Sequence, residues 1–459
     1  LRKLVQGLLK SVALVAIFVA AYAVGSGVRA IVENRHPRLI RLSQVTDPRG
    51  GSAAAGNAEA SVDVSPIDTF RDVLEMVHTE YVEKVDDDTK LSAGAVRTML
   101  YALDDPATRY WSPEQFAMLQ QQLDGQYTGI GATLAVAKIK RNDIEQRRVT
   151  VVAPVPGGPA AKAGVRAGDF ITEIDGHWVI AYDPRLDLNR LALRSMPDTE
   201  YRKIMKDATE KLTDGISWPR ALETLLKPKE KELKLTLERP GATQPITVTV
   251  VPATVQSPVV EFRKVSGDIG YVRVTQFSPS APAEIKKALA DAGRIKGLIL
   301  DLRDNPGGPD FEGARSVLAS MAGSLGALGI RGEVGTIVKG TVRRPVTASS
   351  SAAKPTSVAV LVNKGTSNVA EVAAEACRKR AGAIVVGAAT RGDWKYQKLV
   401  PLKVGAMTIT AGKWLLAGGQ PFPGQGITPD VMVKESGTGS ADPVISRAVS
   451  LLGRKAGGA

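Results

Sequence analysis

Val358-Ala-Val-Leu-Val362, Asn363-Lys-Gly-Thr-Ser-Asn368, Val369-Ala-Glu-Val-Ala-Ala-Glu-Ala-Cys-Arg-Lys-Arg380 and Ile384-Val-Val386 follow one another almost without a break. The first block is a short, continuous apolar run of the length a buried strand needs. The second is built from turn residues. The third is rich in alanine and carries its basic charges at its end, where they suit a helix terminus. The fourth is β-branched and apolar again, a second strand. Strand, helix and strand in this spacing predict an α/β core of β-α-β character.

The alternation extends to both sides. Between Ile269 and Val433, Tyr271–Val274 and Leu298–Leu302 read as strands, with Ala283–Ala290 as a helix between them. Upstream, Thr133–Val136, Val149–Val152, Ile171–Ile174 and Leu233–Leu237 alternate between Gly and Pro turns, which predicts a small β-rich module. Ala181–Lys229 is charged and punctuated by Leu186, Leu191, Ile204 and Leu222, and reads as a helical insertion into that module. Phe70, Val73, Leu74, Val77 and Tyr81 recur at helical spacing, and Leu91–Leu103 repeats the pattern. After Gly437 the composition turns to Gly, Ser and Thr, with Val444–Leu452 as a short terminal helix. The expected organisation is an anchor over 1–30, a linker over 31–63 and a helical region over 64–125. A β module follows over 126–254 with its insertion near 181–229, then an α/β core over 255–436 and a tail over 437–459.

Composition narrows the function classes. The chain has 459 residues, 44% hydrophobic and 23% charged, which suits globular domains rather than a disordered polymer. Much of its +13 charge lies early, in Arg2, Lys3, Lys10, Arg29, Arg35, Arg38, Arg41 and Arg49. These flank Ser11–Val28, an apolar run of roughly 18 residues, near the minimum that spans a bilayer. The charge therefore points to a membrane surface rather than to nucleic acid, for which no zinc-finger spacing or RNA-binding aromatic motif is present. By the positive-inside rule the start is cytoplasmic and the later domains are extracytoplasmic, or periplasmic. Ala21-Tyr22-Ala23 resembles a signal-peptide cleavage site, whereas Gly25-Ser26-Gly27 suits the end of an uncleaved anchor; the anchor is preferred. The single cysteine, Cys377, excludes an intramolecular disulfide framework and reads as a buried helix residue. Three histidines, His36, His78 and His177, offer neither a metal cluster nor a convincing Ser-His-Asp triad. No metal and no cofactor are expected.

Several ordered blocks resemble the C-terminal-processing (tail-specific) serine peptidases. Leu103-Asp-Asp-Pro-Ala-Thr-Arg-Tyr110 is similar to the segment that ends their helical region. Gly129-Ile-Gly-Ala132 resembles the loop that opens their PDZ domain. Pro159-Ala-Ala-Lys-Ala-Gly-Val-Arg-Ala-Gly-Asp-Phe-Ile171 and Ile174-Asp-Gly176 are similar to its turn-and-strand pattern. Gly297-Leu-Ile-Leu-Asp-Leu-Arg-Asp-Asn-Pro-Gly-Gly308 resembles the entry to the peptidase core, and Gly426-Ile-Thr-Pro-Asp-Val431 its closing block. The resemblance implies a multidomain α/β protein with a PDZ-like module and a crotonase-like α/β peptidase core. It implies binding of protein or peptide C-terminal tails, with Gly129, Ile130, Gly131 and Ala132 offering backbone N–H groups to a terminal carboxylate. The helix that lines the family's groove falls in the insertion, so peptide preference does not carry over. Homo-oligomerisation stays open.

The family's chemistry uses a serine nucleophile and a lysine base. Placing Glu371 on the family glutamate, without a gap, puts Asn368 at the nucleophile position and Asp393 at the lysine position. Gln397 stands where the family glutamine orients the lysine, and Gly307 and Gly308 where its oxyanion loop lies. An amide is a poor nucleophile and an aspartate cannot replace a neutral lysine, so the resemblance implies a pseudopeptidase in which Asn368 donates to the Asp393 carboxylate. Two alternatives remain: an atypical peptidase using Ser367 and Lys395, with Asp393, Lys395 and Gln397 sharing strand parity, and a structural or assembly scaffold.

Overall fold

The computed structural model describes residues 66–459, apart from 86, 142, 187–196, 228–230, 312, 351–356, 435–441 and 457–459. The expected membrane anchor and the linker lie outside the described residues. Among the described residues, no helix is long and apolar enough to cross a membrane.

Residues through Val85 form one compact unit and Asp86–Ala459 a second. The described part of the first is helix α1, Pro66–Glu80, which opens on a proline and carries Asp68 in its first turn. The expected helical region 64–125 is therefore not one piece. Helices α2 (Asp88–Tyr101) and α3 (Pro113–Leu123) belong to the larger unit. Packing is the reason: Trp111 and Leu123 enter the same hydrophobic core as the α/β sheets. Both helices start on side-chain caps, Asp87 accepting from Thr89 N–H and Ser112 from Gln115 N–H.

The β module has its own core. Strands β1 (Ala132–Arg141) and β2 (Ile144–Pro154) form a long hairpin, and β3 (Phe170–Ile174) and β4 (His177–Ile180) extend it. Helices α4 (Asp198–Asp214) and α5 (Trp218–Leu226) come next, and β5 (Leu233–Glu238) and β6 (Ile246–Val250) complete the sheet. α5 is not part of an insertion, contrary to expectation. Its Ala221, Leu222 and Leu225 are buried with Ile130, Ile171 and Leu235 in the module's core. The extra element is α4, separated from α5 by a few residues, so the charged pattern of one masks the apolar stripe of the other. β1 is the edge strand, paired only with β2.

The α/β core has two sheets. Strands β7 (Val260–Ser266), β8 (Ile269–Val274) and β9 (Gly297–Asp301) begin the first, and helix α6 (Ala281–Ala292) connects β8 to β9. After helix α7 (Val317–Ala327), β10 (Gly332–Lys339) and β11 (Val342–Ala348) form a hairpin of the second sheet. β12 (Ser357–Val362), helix α8 (Val369–Ala381) and β13 (Ile384–Gly387) return to the first. β14 (Lys395–Pro401) and β15 (Ala406–Leu416) join the second, and β16 (Val431–Met432) closes the first. β8, β9, β12, β13 and β16 run parallel. Every residue of β9 and β12 is buried, which is why both read as unbroken apolar runs. Cys377 lies wholly buried on α8, and burial pushes its thiol up to about 12.

The expected tail also needs correction. Helix α9 (Pro443–Ala456) seats Val444, Ala448 and Leu452 against β9, β12 and β13. Asp442 pairs with Arg303 at 2.7 Å, and Arg303 also pairs with the buried Asp301 at 2.6 Å. The terminal helix is thus a layer of the core.

Candidate active site

The site grows from the turn between β12 and α8. Asn363 Oδ1 accepts from Gly365 N–H at 2.9 Å and from Asp304 N–H at 3.0 Å. Thr366 Oγ1 donates to Leu302 O at 2.8 Å, and Ser367 N–H donates to Asn305 O at 3.0 Å. These bonds stitch the turn to the loop after β9. At its apex Asn368 adopts φ 52° and ψ −120°. Left-handed helical backbone has ψ near +47°, so even an asparagine is strained here, by about 1–3 kcal/mol. A strained residue between a strand and a helix is the geometry that projects a nucleophile from a turn.

Asn368 Nδ2 donates to Lys395 O at 2.6 Å and reaches Asp393 O at 3.5 Å. Its shortest bond thus goes to a backbone carbonyl, while the amide also interacts with the Asp393 carboxyl, as expected, and helps to hold its pKa down. The reason is the path of the chain at the start of β14, which brings the Asp393 and Lys395 carbonyls within reach of the amide.

Glu371 holds the two segments together. It is fully buried, and its two carboxylate oxygens accept from Asn368 N–H at 2.9 Å, Gly392 N–H at 2.8 Å, Asp393 N–H at 3.0 Å and the Thr390 hydroxyl. Arg391 N–H adds a bond to Thr366 O at 3.0 Å. Residues 390–393 are thus fastened to the turn that carries Asn368. Burial pushes the Glu371 carboxyl above its ordinary range, opposed by these hydrogen bonds.

Burial also raises the Asp393 carboxyl above its ordinary value of 3.8, and the Arg391 charge opposes the rise. The sign for stability follows. A carboxyl whose folded pKa is raised contributes most below its unfolded pKa and loses that contribution as pH climbs through the folded value. Asp393→Asn is therefore expected to raise thermal stability at neutral pH, with the gain fading toward about pH 4. Melting curves at the two pH values check this; a less stable variant at neutral pH would contradict it.

The alternative pair does not form. Lys395 Nζ donates to Asp105 Oδ1 at 2.6 Å. Burial pulls Asp105 upward, but bonds from Lys395, Thr410 and Thr108 more than offset it and leave its carboxyl below the ordinary range. Ser367 is buried, one residue before the apex. The expected strand parity fails as well, because Asp393 precedes β14 and a bulge separates Tyr396 from Gln397. Ser367, Asn368, Asp393, Lys395 and Gln397 nevertheless line one cavity of about 850 Å³.

Gly307 and Gly308 line it too. A Cβ at Gly307 would lie 2.6 Å from Ser367 O and 3.0 Å from Asn368 Cβ, so only glycine allows this approach. Gly307 N–H already donates to Asn305 Oδ1 at 3.0 Å, so that N–H is not free for the expected oxyanion role.

Gly129, Ile130, Gly131 and Ala132 are all buried. Ile130 N–H donates to Leu225 O at 2.9 Å, and a Cβ at Gly129 would meet that oxygen at 2.2 Å. The end of α5 thus takes one N–H of the expected carboxylate loop and packs against Gly129. Successive residues 133–139 of β1 line the cavity instead, so the unpaired edge of that strand faces it. Residue patterns missed Lys364 and Arg391, which share the cavity wall, and Asp105 as the partner of Lys395. Lys364 stands inside the Asn363–Asn368 turn block and Arg391 two residues before Asp393, where spacing assigns neither a role, and the third pair spans 290 positions of chain.

Residues 268–433 match the model of peptidase family S41, 150–185 that of a PDZ domain, and 42–115 that of the activating protease CtpB N-terminal domain. The chain is 28% identical over 373 residues to a carboxy-terminal-processing protease of Bartonella bacilliformis, covering 80% of this chain and 74% of that one. It is 27% identical over 387 residues to the carboxy-terminal processing protease CtpA of Bacillus subtilis, covering 83% and 72%. Among solved structures it is similar to a photosystem II D1 C-terminal processing protease, with a TM-score of 0.55 and 25% identity over 80% of this chain and 87% of that chain. Ordered motifs, two-domain architecture and these likenesses agree: the chain belongs to the C-terminal-processing serine peptidase family.

Proposed function

We propose that this chain is a catalytically impaired member of its family, a pseudopeptidase that binds protein or peptide C-terminal tails without cutting them. The observation that carries the reading is the backbone at Asn368, where φ 52° and ψ −120° mark the apex of the turn. That apex is the place a nucleophile must occupy, and the residue there has no nucleophilic oxygen. Asp393, at the base position, feels the Arg391 charge without a salt bridge to it. A carboxylate there supplies no ammonium to the reaction and no lysine base.

Ser367 is a poor substitute. It lies off the apex, and catalysis tolerates misplacement of about 1 Å poorly. Lys395, its proposed base, is bound to the Asp105 carboxylate at 2.6 Å. Tail binding is supported by the cavity, whose wall joins the edge of β1 to the Asn368 turn, since an extended peptide adds to a free strand edge through its backbone. Tethering outside the cytoplasm through Ser11–Val28 is part of the same proposal and rests on that apolar run and the preceding Arg2, Lys3 and Lys10.

Incubation of the purified protein with unfolded, apolar-tailed substrates tests the reading. Wild type and Ser367→Ala are both expected to leave them intact. Cleavage by wild type that Ser367→Ala abolishes would overturn the proposal in favour of the atypical peptidase. Failure to bind any tail peptide would favour a scaffold.

A further inference from the structure

The cavity beside Asn368 carries an excess of cationic groups that the family's peptidase chemistry does not use. Lys364, Arg391, Arg109 and Arg166 line it without a carboxylate partner among the described residues, whereas Asp393 is the one lining carboxylate outside a salt bridge. The cavity's other cations are already paired, Lys395 with Asp105 at 2.6 Å among them. Lys364 Nζ donates to Thr390 O at 3.1 Å, which uses one of its three ammonium donors. Arg391 is anchored through its backbone, leaving a planar five-donor guanidinium beside the cavity.

These side chains are poorly compensated. Burial lowers the Lys364 pKa, and the neighbouring Arg391 charge lowers it further. Burial lowers Arg391 as well, against the attraction of Asp393 and Glu371. Glu371 adds little to the cavity itself, because its oxygens are saturated by backbone and hydroxyl donors. Lys364 is exposed at the cavity wall and Arg391 is partly buried beside it, so the two neighbouring cations stand open to an anion that would join them. Meanwhile the glycine loop of the β module, where a terminal carboxylate is expected, is buried and has the Ile130 N–H spent on Leu225 O.

Building on the tail-binding reading, we propose that a carboxylate of the bound peptide is received in the core cavity by Lys364 and Arg391, and not at the Gly129–Ala132 loop. The peptide lies along the edge of β1, residues 133–139, which opens onto the same space. The anion is either the terminal carboxylate or an acidic side chain near the end, since both present the same two oxygens to a guanidinium.

Three fluorescent versions of one apolar heptapeptide separate these cases: a free acid, a C-terminal amide, and an amide with aspartate at the last position. Binding to the full chain is read by anisotropy. At least one carboxylate-bearing peptide is expected to bind about 10–100-fold more tightly than the plain amide, the range for hydrogen bonds to a charged group. Tight binding of the free acid alone assigns the terminal carboxylate, and tight binding of the aspartyl amide assigns the side chain. The preference is expected to vanish in Lys364→Gln/Arg391→Gln while weak binding of the plain amide persists. Lys364→Met serves as the second variant, since that exposed side chain makes one bond to a carbonyl, and it is expected to reduce the preference by itself. Equal affinity for all three peptides, or an undiminished preference in folded variants, overturns the carboxylate assignment while leaving tail binding intact. No binding of any of them overturns the tail-binding reading itself.

Discussion

If the chain is the pseudopeptidase proposed above, Asn368→Ser combined with Asp393→Lys is expected to raise turnover of an unfolded substrate by about 10³-fold or more. Most of the machinery such a reaction needs is present. The apex at residue 368 has the strained backbone that projects a side chain, and Gly308, where the family's oxyanion loop lies, lines the same cavity. A lysine at 393 would enter a site where burial already disfavours charge and where Arg391 repels a second cation. Both effects lower an ammonium pKa toward the neutral range that a general base requires. Gln397 lines the same cavity and stands where the family's orienting glutamine lies.

Either substitution alone is expected to do little. A serine without a base stays protonated, and a lysine without a nucleophile has no proton to take. This non-additivity distinguishes repair of a dyad from a general loosening of the site. Mass spectrometry of the products checks it, because a repaired site must yield discrete fragments. Wild-type cleavage at the rate of the double variant would refute the pseudopeptidase reading.

Glu371→Ala is expected to destabilise the core by about 3–5 kcal/mol. Its carboxylate satisfies three backbone N–H groups and the Thr390 hydroxyl, and the residue is wholly buried. Removing it leaves those donors unpaired in a space that alanine cannot fill, and a buried donor without a partner costs about 1–3 kcal/mol. Water entering the space would recover part of that, so the expected loss is less than the sum. Residues 390–393 should separate from the Asn368 turn first, because Glu371 is the main tie between them. Urea unfolding measures the loss, and hydrogen exchange at Gly392 and Asp393 locates it. A loss below about 1 kcal/mol, no more than an ordinary surface change costs, would refute the role of Glu371 as that tie.

Much of this was legible in the chain. Val358–Val362, Val369–Arg380 and Ile384–Val386 became β12, α8 and β13 nearly residue for residue. Their burial on both faces forces continuous apolar sequence, and that signal is local. The short helix α5 was not legible, because its apolar stripe follows the charged α4 closely and was absorbed into one insertion. Helix α9 read as a tail for a similar reason: a short amphipathic segment does not announce which layer it joins.

The sequence by itself determined the family, the order of the domains and the identities of the residues at 368 and 393. Those follow from short-range spacing and from motifs in a set order. Only the tertiary structure decided where each polar group is directed. Lys395 turns to Asp105, Asn368 to backbone carbonyls, and Ile130 N–H to Leu225. The physical reason is that hydrogen-bond partners are chosen by proximity in space and by the cost of leaving a buried group unpaired. Spacing along the chain carries no record of a partner nearly 300 residues away. The cationic cavity wall arises in the same manner, from Lys364 and Arg391 on one side and Arg109 and Arg166 from distant segments on the other.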